Sequence, residues 1–115
     1  MQRDGLMEVH VQSVDGLVVV APSGDVDLSV SREFQGHLKK AMESRPPRVV
    51  INLSKVPYMD SSGVATLVEA MQIARRQSTR LILCALQDKV RSIFEIARLD
   101  RVFTIVLDES EARTA

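Results

Sequence analysis

Apolar residues recur at two alternating periods along this chain, and each change of period marks a new element. Met7-Glu8-Val9-His10-Val11-Gln12 alternates apolar and polar, the two-residue period of a half-buried or edge strand. Asp15-Gly16 is a turn dipeptide, and Leu17-Val18-Val19-Val20-Ala21 then runs apolar without a break. Two strands joined by so short a turn predict an antiparallel hairpin. Pro22 falls at the end of the second strand, ahead of Ser23-Gly24-Asp25.

From Asp27 the period lengthens. Val30, Phe34, Leu38, Ala41 and Met42 recur at helical spacing, and Pro46-Pro47 stops that helix. Asp27 or Ser29 is expected to cap its start, since both carry a side-chain acceptor for free backbone N–H groups. Val49-Val50-Ile51-Asn52-Leu53 is short and β-branched, which predicts a central strand covered on both faces, and Pro57 closes the stretch. Val64, Leu67, Val68, Met71 and Ala74 predict a second amphipathic helix with Arg75-Arg76 in its last turn. Leu81-Ile82-Leu83-Cys84-Ala85 predicts another buried strand. Asp88 is expected to cap a third helix carrying Val90, Ile93, Phe94 and Ala97. Val102 to Leu107 predicts a last strand, and the polar tail Asp108 to Ala115 is expected to add a helical turn or to fray.

The order β-β-α-β-α-β-α-β calls for parallel crossovers after the hairpin. The expected fold is α/β: a single domain over residues 1–115 with a mixed, mostly parallel sheet. An N-terminal antiparallel hairpin strand opens the sheet, and helices pack against it.

Composition removes several function classes. The chain has 115 residues, 45% hydrophobic and 26% charged, with fifteen basic residues against fifteen acidic ones. Zero net charge implies no general attraction to nucleic acid or to an anionic membrane. No apolar run is long enough to span a bilayer. The first residues carry no apolar signal segment, so a cytoplasmic location is expected. One cysteine, Cys84, and two histidines do not make a Cys/His zinc cluster. A phosphate-binding G-x-x-x-x-G-K-[ST] loop and a G-x-G-x-x-G turn are both absent. A serine hydrolase would need His10 or His37 as base, and both are expected at the surface. No catalytic residue, metal or cofactor is expected.

One junction stands out. Tyr58-Met59-Asp60-Ser61-Ser62-Gly63-Val64 follows a buried strand and opens an amphipathic helix. Free N–H groups and the positive end of the helix dipole meet there, which suits an anion. The plainer reading has Asp60 or Ser61 as a cap and Gly63 allowing close packing. A second junction, Gly24-Asp25-Val26-Asp27, also ends a strand before a helix. In a parallel arrangement such junctions gather along the carboxyl edge of the sheet, which would make neighbours of Asp27 and Ser61.

Taken together, these segments resemble a STAS domain, specifically a stand-alone bacterial anti-sigma factor antagonist. The matching pieces are Gly24-Asp25-Val26-Asp27, Val49-Val50-Ile51-Asn52-Leu53-Ser54, Tyr58-Met59-Asp60-Ser61-Ser62-Gly63-Val64 and Leu81-Ile82-Leu83-Cys84, in the family's order. Gly63-Val64-Ala65 stands where the family often has Gly-Leu-Gly. The resemblance implies that Ser61 is phosphorylated by a partner that is both anti-sigma factor and serine kinase, with an ATP-binding histidine-kinase-like fold. It implies that Asp27, Asp60, Ser62 and Gly63 support the phosphosite or the partner contact, and that a serine phosphatase reverses the modification. The protein would then be a kinase substrate rather than an enzyme, a monomer or weak dimer that binds its partner when unphosphorylated. The alternative within the family is a non-switching scaffold, or a subunit of a larger signalling or lipid-transport complex.

Overall fold

Residues 7–115 are described by a computed structural model, in which five strands lie in sequence order across one sheet. β1 (Glu8–Val14) and β2 (Leu17–Ser23) form the antiparallel hairpin, with Val14 opposite Leu17. Asp15 and Gly16 at its tip both have positive φ, 50° and 79°. A type I′ turn needs positive φ at both central positions, and Asp-Gly supplies it at little cost. β3 (Arg48–Asn52), β4 (Arg80–Cys84) and β5 (Thr104–Val106) follow, all parallel to β2.

Between them run α1 (Ser31–Met42), α2 (Ser61–Arg76) and α3 (Asp88–Ile96). Right-handed crossovers between strands laid in sequence order carry every helix to the same face. Accordingly, Phe34 and Leu38 of α1, Leu67 and Met71 of α2, and Val90 and Phe94 of α3 share one core with Val18, Val49, Ile51 and Leu83. The opposite face presents Leu17, Val19, Val50, Ile82 and Cys84. A four-residue helix, α4 (Glu109–Ala112), lies against it through Ala112. Both sides of β3 are thereby covered, and Val49, Val50 and Ile51 are all buried.

Several sequence expectations are corrected. The stretch Val102–Leu107 is strand only over Thr104–Val106. Ahead of it, Leu99–Arg101 forms a 3-10 turn that aims Phe103 into the core, where its ring meets Phe94 edge-on at 5.5 Å. Val102 and Leu107 remain exposed. Asp88 is the first residue of α3 rather than its cap; Gln87 precedes the helix and sends its amide to the Ser54 carbonyl at 2.9 Å. Neither Asp27 nor Ser29 caps α1, because the helix begins two residues beyond Ser29 and Val30 occupies the cap position. Along α2, Val64 and Val68 are only partly buried, while Gly63, Thr66 and Ala70 face inward. The polar tail, by contrast, does add a helical turn, α4, over Glu109–Ala112.

Candidate functional site

β2 and β3 do not part company where their ladder ends. Gly24 N–H donates to the Lys55 carbonyl at 2.8 Å, and Val26 N–H to the Tyr58 carbonyl at 3.0 Å. Asp60 N–H then donates back to the Val26 carbonyl at 3.2 Å. These bonds hold the segment after β2 beside the segment that enters α2. The two junctions singled out in the sequence therefore meet at the carboxyl edge of the sheet.

Asp60 organises this meeting. Its backbone is extended, φ −96° and ψ −174°, and its carboxylate caps α2. Oδ1 accepts from the N–H groups of Ser62 at 2.9 Å and Gly63 at 3.2 Å, and from the Ser62 hydroxyl at 2.6 Å. Oδ2 accepts from Leu28 N–H at 3.1 Å. The Ser62 hydroxyl, more than any other group, holds the Asp60 carboxyl below its ordinary value of 3.8; desolvation opposes this, and the N–H groups of Gly63, Ser62 and Leu28 reinforce it. Asp60 is therefore ionised throughout the physiological range.

The adjacent serines differ. Ser61 is the first residue of α2, is exposed, and its hydroxyl makes no hydrogen bond among the described residues. Ser62 is half-buried and its hydroxyl is committed to Asp60. Gly63 is buried where a Cβ would come within 2.6 Å of Met59 Cγ and 2.8 Å of the Val26 carbonyl oxygen. Only glycine lets α2 start this close to the neighbouring segment.

Asp27 is half-buried and accepts from the Ser29 N–H at 3.0 Å and the Ser29 hydroxyl at 2.6 Å. Its own carbonyl accepts from the N–H groups of Val30 and Ser31 at the entrance to α1. Asp27 thus shapes the loop beside Asp60 and touches the site through that loop. Leu28 in the same loop is 77% exposed, and Tyr58 is 45% exposed. Tyr58 stands out in the sequence only as the start of the helix junction and Leu28 not at all, because neither lies in a periodic stretch; their exposure is seen in the fold alone.

His10 is exposed on β1, and His37 on α1 lies 4.0 Å from Glu33. No hydrogen bond joins either to a serine among the described residues. Those residues also contain no cluster of three or more His, Cys, Asp and Glu suited to a metal ion. Among the described residues, no helix is long and apolar enough to cross a membrane.

A sequentially ordered sheet, three helices on one face and an exposed serine at a capped helix start describe a small α/β domain. A family model described as STAS domain matches residues 8–112, and the chain belongs to that family. The anti-sigma-B factor antagonist of Listeria monocytogenes is 36% identical over 105 residues, covering 91% of each chain. Among solved structures, an anti-sigma factor antagonist from Mycobacterium paratuberculosis superposes with a TM-score of 0.87 at 22% identity, over 99% of this chain and 97% of that one. The Bacillus cell fate determinant SpoIIAA in its phosphorylated form gives 0.70 at 20% identity, over 90% and 96%. At those identities the structural likeness speaks for the fold.

Proposed function

We propose that this protein is a phospho-switched anti-sigma factor antagonist. The observation that carries the proposal is the contrast between its two serines: Ser61 is exposed with an uncommitted hydroxyl at a helix start, and Ser62 is not. The Listeria relative's name and the phosphorylated SpoIIAA structure support the same reading.

Unphosphorylated, the surface around Ser61 docks on an anti-sigma factor and displaces its sigma factor. Leu28 and Tyr58 supply the apolar part of that surface, and Asp25 and Asp27 its charged border. The partner is also a serine kinase with an ATP-binding, histidine-kinase-like fold, and it brings ATP to Ser61. Phosphate adds about −1.5 to −2 charges beside Asp60. A loss of about 3–4 kcal/mol would weaken the complex by two to three orders of magnitude, enough to release it at cellular concentrations. A serine phosphatase resets the switch. The chain itself catalyses nothing; it is a substrate, acting in the cytoplasm as a monomer or weak dimer.

The test is incubation with the partner kinase and ATP, followed by mass spectrometry and calorimetry. Phosphate is expected on Ser61 only. Ser61→Ala should keep partner affinity and resist release by ATP, while Ser61→Glu should bind weakly. Phosphate on Ser62 alone, or equal affinities for the Ala and Glu variants, would refute the switch. A protein that takes no phosphate is a scaffold.

A further inference from the structure

The carboxyl edge that carries Ser61 also carries Asp25, Asp27 and Asp60; at the opposite end, β3 and β4 begin with Arg48 and Arg80, and α2 closes with Arg75 and Arg76. There a concavity of about 420 Å³ lies beside the β1–β2 turn. Arg48, Arg80 and Arg113 line it together with Val14, Leu17 and Pro47; Asp15 is the one acid among its lining residues.

These guanidinium groups come from separate elements, and two are held in place. Arg48 donates Nη1–H to the carbonyl oxygens of Ala112, at 3.3 Å, and Arg113. Arg80 donates Nε–H to the main-chain oxygen of Ala115 at 3.0 Å. Among the described residues, no Asp or Glu side chain forms an ion pair with any of the three arginines. Three guanidinium charges stand against two negative groups, the Asp15 side chain and the main-chain carboxylate of Ala115 that Arg80 contacts, so a positive excess remains. Arginines fixed in this way have lost much of their freedom already, so binding costs less ordering. Their planar forks match phosphoryl oxygens in pairs, which an ammonium group does not.

We propose that this concavity binds the phosphoryl group of a phosphorylated small molecule. The guanidinium groups take the phosphoryl oxygens, and the apolar wall of Val14, Leu17 and Pro47 lies against whatever the phosphate is attached to. The site stands at the other end of the sheet from Ser61 and is independent of the switch proposed there.

The full chain should be titrated with inorganic pyrophosphate and with phenyl phosphate, read by calorimetry and by amide NMR at Gly16, Arg48 and Arg113. Sodium chloride at matched ionic strength is the control. Saturable binding with a Kd of about 1 mM or tighter is expected. Tighter phenyl phosphate is expected; pyrophosphate binding much more tightly than phenyl phosphate would overturn the part given to the apolar wall. The double variant Arg80→Gln/Arg113→Gln should bind at least about tenfold more weakly, the effect of about 1.4 kcal/mol. Asp15→Asn should bind more tightly, and asparagine tolerates the positive φ at that position. Shifts no larger than those in sodium chloride, or undiminished binding by the double variant, would overturn the site. If the double variant does not fold, Asp15→Asn decides: unchanged or weaker binding overturns the proposal.

Discussion

Asp60 and Leu28 lie 32 positions apart, yet the Asp60 carboxylate accepts the Leu28 N–H at 3.1 Å with one oxygen while the other caps α2. One side chain therefore fixes both the helix start that presents Ser61 and the loop that displays Leu28. A change at Asp60 is felt on both segments at once.

The first prediction concerns pH. Hydrogen bonds to ionised Asp60 keep its folded pKa below the ordinary 3.8. Its contribution to stability is thus complete above the ordinary carboxylate value and is lost as pH falls through the lower, folded one. Asp60→Asn should flatten that part of the acid limb of a thermal-stability profile. Asp60→Ala should also remove the cap and lower the melting temperature at pH 7 by roughly 4–8 °C. Melting curves from pH 2 to pH 7 for the three proteins would check both points.

Gly63→Ala tests the close approach. Alanine favours a helix over glycine by about 1 kcal/mol, but its Cβ would press on Met59 and on the Val26 carbonyl oxygen. Overpacking against backbone typically costs about 1–3 kcal/mol, so a net loss of up to about 2 kcal/mol is expected. That same carbonyl receives the Asp60 N–H, so the strain reaches the phosphosite. Denaturant titration, with phosphorylation rate as a second measurement, should show both effects. A stabilised variant would contradict the packing described here.

Cys84 should be inert while the fold is intact. Burial against the sheet, with smaller contributions from Glu109 and Asp108, pushes its thiol up from 9.0 to about 11. Stability owed to the neutral thiol is therefore present below pH 9.0 and lost as pH rises towards about 11. A disulfide reagent at pH 8 should label the unfolded chain promptly and the native one slowly. Ala112→Glu puts a carboxylate into the cluster that covers Cys84 and should speed labelling by at least about tenfold through local opening.

Phosphorylation of Ser61 should leave the fold intact. A phosphate at a helix N-terminus is favoured by about 0.3–1 kcal/mol, and repulsion from Asp60 and Asp27 opposes it by a similar amount. Both are small against a total stability of roughly 5–15 kcal/mol. Circular dichroism of the two forms should coincide, with melting temperatures within about 10 °C of each other. Loss of helical signal on phosphorylation would instead indicate a switch by disorder.

Local chemistry was legible residue by residue. The Asp15-Gly16 turn, the β-branched run of β3 and the stripe of Phe34, Leu38 and Met42 each declare their element without help from distant residues. The choice between Asp60 and Ser61 as cap was not legible. It depends on the Val26 carbonyl, which pins Asp60 N–H from another part of the chain. The last strand is shorter than its apolar run for a related reason: Val102, Phe103 and Leu107 are all apolar, but only Phe103 finds a place in the core, beside Phe94.

By itself, then, the sequence determined the kinds of element, their order and the D-S-S-G helix start, because short-range periodicity and turn chemistry act within a few residues. Tertiary structure decided which face the helices share, how little covers the other face, and which serine hydroxyl is left free. Those outcomes arise from pairings between distant segments, β2 with β3 and Leu28 with Asp60, and a hydrogen bond across 32 positions leaves no periodic trace in the chain.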